Sequence, residues 1–197
     1  RRNKIYDGKD VGIHVCKKGL GLFEQNEIIN NPLAGVDVES GADPKMIENK
    51  IHHCEGAGVY IHDTGLGLFE KNEIYANVLS GVEIKTFSGP TFVENKIYDG
   101  CESGVYVHAD GAGTLEKNEI YGNAYAGVQI RSGANPTLSK NIIRDGKRSG
   151  VYVHSGGGGI LVENEVHGNA GDGIEVETKA TPKVQANNIY GGKGAGV

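Results

Sequence analysis

Residues 72–95 read NEIYANVLSGVEIKTFSGPTFVEN, a stretch that opens and closes on an asparagine 23 positions apart. Extending that interval in both directions meets Asn3, Asn26, Asn49, Asn118, Asn141, Asn164 and Asn187 without one insertion or deletion. A glycine stands nine residues after each asparagine, from Gly12 through Gly81 to Gly196. Strict self-similarity at this period is the signature of identical structural units stacked in register.

Within the quoted unit, Ile74 lies two residues after the asparagine, Val82 and Ile84 alternate just after the glycine, and Phe92 completes the set. The same positions are apolar in the neighbouring units, as in Ile97, Val105, Val107 and Leu115. Alternation at a spacing of two with β-branched residues marks short strands with one face inward. Three such strands per unit, separated by turns and with no amphipathic helix between them, stack into an all-β solenoid. The expected fold is a right-handed parallel β-helix with about eight to nine 23-residue coils. At about 4.8 Å per coil the axis is roughly 40 Å long. Residues 1–197 are read as one domain, expected to be a piece of a longer solenoid that can stack end to end through uncapped coils.

The asparagines are assigned to a hydrogen-bonded ladder along the axis, and the glycines to close backbone approach or positive φ. A second period of 46 residues overlies the first, because Pro44, Pro90, Pro136 and Pro182 alternate with Gly21, Gly67, Gly113 and Gly159. The outward column Lys4, Glu27, Lys50, Glu73, Lys96 and Glu119 alternates in sign and predicts cross-strand ion pairs.

Composition excludes several classes. The net charge of -5 offers no broad basic face, so no nucleic acid is expected, and no segment has the length of a membrane span. Threonine ladders of the ice-binding kind are missing from the strand columns. Cys16, Cys54 and Cys101 fall in different coils and columns, too far apart for disulfides, and free thiols point to a reducing, cytoplasmic or nuclear address.

Two outward regions could carry recognition or chemistry. On the second strand, Tyr60 with His62, Tyr106 with His108 and Tyr152 with His154 alternate with Glu83 and Lys85, Gln129 and Arg131, and related charged pairs. Tyrosine and arginine give large contact area at small entropy loss, so the candidate binding surface is Tyr60, His62, Lys85, Tyr106, His108, Arg131, Tyr152 and His154. Histidines of one column are two coils apart, about 9.6 Å, so they cannot share an ion; no metal and no cofactor is expected. The second region is the turn column Asp7, His53, Asp99 and Asp145, where Asp-Gly pairs favour plain turn chemistry over catalysis. No locally unique catalytic cluster stands out, so no catalytic residue is assigned.

The units NKIYDG (95–100), SGVYVH (103–108), GLGLFEKNEIYAN (65–77), SGVEI (80–84) and SGANPTLSKN (132–141) resemble the β-helix repeats of the F-box only protein eleven family. Such repeats belong to a wider group of right-handed β-helices that includes carbohydrate-acting enzymes. The resemblance implies a non-catalytic scaffold that recognises a protein substrate or degron for a ubiquitin ligase, although this chain carries no helical F-box. The alternative is a β-helix lyase or epimerase acting on acidic polysaccharide, using carboxylates together with a lysine, arginine, tyrosine or histidine base. The tyrosine-glycine-aspartate-proline-histidine run expected of alginate epimerases is absent.

Overall fold

The computed structural model describes residues 1–197 and contains strands and turns only. Its 25 strands form three parallel sheets of nine, eight and eight strands, each sheet taking every third strand of the chain. The register is the 23-residue interval throughout: Ile74 pairs with Ile51 and Ile97, Val82 with Val59 and Val105, and Phe92 with Phe69 and Leu115. The expected solenoid of about eight turns is therefore the observed one.

The inward columns of the three sheets meet in one core of 30 buried residues along the axis. Burying each isoleucine or valine contributes about 1.5 to 3 kcal/mol, and identical neighbours let every coil pack in the same way. Phe69 and Phe92 stack at 4.4 Å and 5° inside that column.

A buried amide inside such a core must satisfy its donors and acceptor. The Asn95 side-chain oxygen accepts the backbone N–H and the Nδ2 of Asn72, both at 2.9 Å. Its own Nδ2 donates to Asn118 Oδ1 and to the Phe69 carbonyl, again at 2.9 Å. The motif repeats in coil after coil, so the ladder is complete. A second buried series at 46 residues, Asn31, Asn77, Asn123 and Asn169, was not singled out from sequence. Asn77 and Asn123 accept the backbone N–H of Cys54 and Gly100 in the preceding coil, at 3.0 Å. These amides give the 46-residue alternation a structural cause.

Positive φ falls elsewhere than on the glycine column. Gln25, Glu48, Lys71, Glu94, Lys117, Lys140 and Glu163, each just before a ladder asparagine, take φ of 53° to 55°. This left-handed turn costs about 1 to 2 kcal/mol per residue and is held by the ladder beside it. Gly81 is instead required by close approach: a Cβ there would lie 2.6 Å from Ile97 Cγ2 and 2.8 Å from the Gly104 carbonyl oxygen. Gly113 has both constraints, with φ of 111° and the Pro90 carbonyl oxygen 2.6 Å from where a Cβ would sit.

The charged column differs from its expectation. Lys4 and Glu27 close an ion pair at 3.1 Å, but Glu119 turns to Arg144 at 2.7 Å rather than to a lysine of its own column. Lysine stems of this length stay hydrated at little cost, whereas arginine offers a planar fork to the carboxylate.

Candidate functional site

The second sheet presents its alternate residues outward, so strand geometry alone brings the eight predicted residues onto one face. The structure places Tyr60, His62, Lys85, Tyr106, His108, Arg131, Tyr152 and His154 there, all half-buried. What joins them is diagonal: each histidine reaches back 25 residues, to the middle position of the preceding coil. His62 Nε2 lies 3.1 Å from Asp37 Oδ1, and His108 Nε2 lies 3.0 Å from Glu83 Oε1. In the third copy Gln129 Nε2 donates to His154 Nε2 at 3.0 Å, which leaves that ring neutral.

Each histidine also stacks on the tyrosine of its own strand. The ring centroids are 4.5 Å apart for Tyr60 and His62 and 4.3 Å for Tyr106 and His108. From the following coil a cation covers the tyrosine: Lys85 Nζ stands 5.0 Å from the Tyr60 ring and the Arg131 guanidinium 5.7 Å from that of Tyr106. Two quartets of carboxylate, histidine, tyrosine and cation result. The third copy has none, because Glu177 replaces the cation and accepts the Tyr152 hydroxyl at 2.8 Å.

Electrostatics separates the groups. Burial pushes the Asp37 carboxyl up, against the opposing pull of His62. Burial also raises the Tyr106 phenol, so it is protonated at neutral pH, although Arg131 and Lys85 act the other way. The hydrogen bond to Glu177 and burial push Tyr152 up to about 12, and burial with the Arg131 charge lowers His154. Arg131 Nε is buried without a hydrogen-bond partner, and its guanidinium lies over the Tyr106 ring.

A groove runs beside this face, walled by the turns that link the first sheet to the second. Near Asp37, Tyr60 and Glu83 it is a cleft of about 350 Å³ lined by Leu33 and Leu79. Near Tyr152 and Glu175 it widens to about 570 Å³ and becomes polar, with Tyr125, Lys147 and Arg148 on the wall. These wall residues were not selected from sequence, since turns lack the alternation that marks a strand face.

The turn column behaves as turn chemistry: Asp7, His53, Asp99 and Asp145 all take φ of 51° to 55°. The first sheet carries an aromatic run that sequence reading passed over. Tyr75, Tyr98 and Tyr121 stack at 4.9 and 4.8 Å, capped by His52 at one end and by the Arg144 guanidinium, 4.4 Å from the Tyr121 ring, at the other. Its signal was available as the tyrosine recurring in the NEIY and NKIY units.

No curated protein matches the chain in sequence. Among solved structures it superposes on the periplasmic alginate epimerase AlgG with a TM-score of 0.78, at 17% identity over 90% or more of this chain, namely 93%, and 51% of that one. The A-module of the Azotobacter vinelandii mannuronan C-5 epimerase AlgE6 gives 0.78 at 20% identity, covering 93% and 56%. Pectate lyase Pel9A gives 0.67 at 12% identity, covering 97% and 60%. The chain thus spans about half the length of these structures, and at such identities the likeness concerns the fold.

The expected role as a ubiquitin-ligase recognition scaffold is overturned by these likenesses, which are to epimerases and a lyase of alginate, mannuronan and pectate. The physical reason lies in the motifs that suggested it. In NKIYDG and SGVYVH the isoleucine and valines fill the core, Tyr98 stacks in the first-sheet column and Gly104 permits close coil contact, so these units encode coil geometry. Matches to the family described as right-handed β-helix region over residues 1–107 and 80–197 account for the whole sequence, and the chain belongs to that family.

Proposed function

We propose that this chain is part of a β-helix enzyme that acts on acidic polysaccharide, binding it along the outward face of the second sheet. The observation that carries the reading is the quartet of Glu83, His108, Tyr106 and Arg131, with Lys85 beside it. A uronate C5 proton becomes removable when the adjacent carboxylate is neutralised, because the developing enolate charge is then stabilised. Arg131 and Lys85, the cations over the Tyr106 and Tyr60 rings, supply that neutralisation.

His108 Nε2 is engaged by Glu83, which leaves Nδ1 to take the C5 proton; the carboxylate orients the ring and supports its positive charge. Tyr106, held protonated, is placed as the proton donor. Return of a proton to the opposite face of C5 gives an epimer, whereas cleavage of the C4–O bond gives an unsaturated uronate and a new chain end. The quartet around His62 lies two coils away, about 9.6 Å, close to the length of a disaccharide, and offers a neighbouring subsite.

The test is incubation of the protein with mannuronan and with polygalacturonate. Appearance of unsaturated uronate by ultraviolet absorption, or of C5 inversion and solvent-proton incorporation by NMR, is the expected result. Neither change on either polymer, from a folded protein, would remove the reading.

A further inference from the structure

The second sheet departs furthest from its own pattern in the first coils. Where other coils of the same type carry tyrosine and histidine two residues apart, the first carries His14 and Cys16. The following coil has Glu39 where Lys85 and Arg131 stand further along. Two aromatic or imidazole groups and a cation are thus exchanged together for an imidazole, a thiol and a carboxylate. All three replacements are metal-ligating types.

They also meet. His14 Nε2 is 3.2 Å from Glu39 Oε1, and the ligand atoms of His14, Cys16 and Glu39 all lie within 4.8 Å of one another. Ions of the zinc class take tetrahedral ligands at about 2.0 to 2.3 Å, which puts ligand atoms roughly 3.3 to 3.8 Å apart. Small side-chain rotations on a fixed strand pair close that difference. Behind the set, His62 Nε2 is hydrogen-bonded to Asp37 Oδ1 at 3.1 Å and stands 3.9 Å from the other Glu39 oxygen.

We propose that His14, Cys16 and Glu39 form a binding site for a zinc-class divalent ion, with the fourth coordination position facing solvent. The thiolate selects against calcium and magnesium, which take oxygen ligands. An isolated surface ion pair would explain His14 with Glu39, but it leaves unexplained why Cys16 replaces the histidine of every equivalent coil. The copies at 62, 108 and 154 offer no thiol, each histidine facing a carboxylate or amide and stacking on a tyrosine, although His62 also comes within ligand distance of Glu39 and Asp63.

Titration of the metal-free chain with Co²⁺ tests it. One equivalent should produce a thiolate-to-cobalt absorption band in the near ultraviolet, displaced by Zn²⁺ and unaffected by Ca²⁺. Cys16→Ser should abolish the band and Cys101→Ser should keep it. His14→Gln should weaken Co²⁺ binding by about 100-fold or more. Absence of a stoichiometric band in the wild-type chain, or a band lost in Cys101→Ser and kept in Cys16→Ser, would overturn the site. Should Cys16→Ser not fold, a band of full strength and unchanged affinity in both His14→Gln and Glu39→Gln would do the same.

Discussion

The outward faces of the first and second sheets are built from the same residue types and do different work. On the first, the tyrosines repeat every 23 residues, so Tyr75, Tyr98 and Tyr121 stack on one another almost parallel, at 9° and 1°. The one arginine at the end of that column is spent on Glu119 and Asp145, at 2.7 and 2.6 Å. On the second, tyrosine recurs only every 46 residues, so each ring meets its own histidine, and a carboxylate and a cation occupy the coils on either side. Period 23 lets a side chain satisfy its own copy; period 46 obliges it to face something else. A column of like groups is closed on itself, whereas alternation sets unlike groups together, Arg131 over Tyr106 and Glu83 against His108.

That contrast can be broken at several points. The largest effect is expected at Arg131→Ala, which should lower turnover on the polyuronate that the protein accepts by about 100- to 1,000-fold with little change in melting temperature. Loss of activity accompanied by unfolding would instead make the second face as structural as the first. At Tyr98→Ala the signs should reverse. Losing two stacked partners should cost about 1 to 3 kcal/mol in denaturant unfolding, with turnover kept. A Tyr98→Ala protein with unaltered stability would show that the stack contributes little.

The smallest effect concerns protons. His52 is buried and stacked on Tyr75, and burial lowers its pKa in the folded chain. The unfolded chain then binds more protons across the interval below the ordinary histidine value near 6.5, so stability there rises with pH. Its contribution is complete above about 6.5 and is lost as pH falls towards the folded value. His154 is lowered in the same direction, by burial and by Arg131. His52→Gln should flatten the acid side of a plot of melting temperature against pH; an unchanged slope would assign that dependence to other groups.

Much of this architecture was legible because the covalent interval and the coil are one quantity. Asn95 sits over Asn72 since 23 residues make one turn, and the same count put Ile97 on Ile74 and Phe92 on Phe69. The members of the second-sheet face followed from the alternation of a strand. Their partners did not. His108 meets Glu83 at a separation of 25, two residues off the repeat, because the side chain leans diagonally across the coil boundary. The function drawn from the repeats failed for a related reason: NKIYDG and SGVYVH are dictated by packing, so they are shared by β-helices of unrelated role.

By itself, then, the sequence determined the three-sheet solenoid, its register and which side chains point outward, because period-two and period-23 regularities are properties of a chain read in one dimension. Only the tertiary structure decided which outward groups are satisfied and which are left free. It closed the Tyr75, Tyr98 and Tyr121 column, set Arg131 over Tyr106, and brought His14, Cys16 and Glu39 within ligand distance, since such contacts depend on side-chain direction between coils.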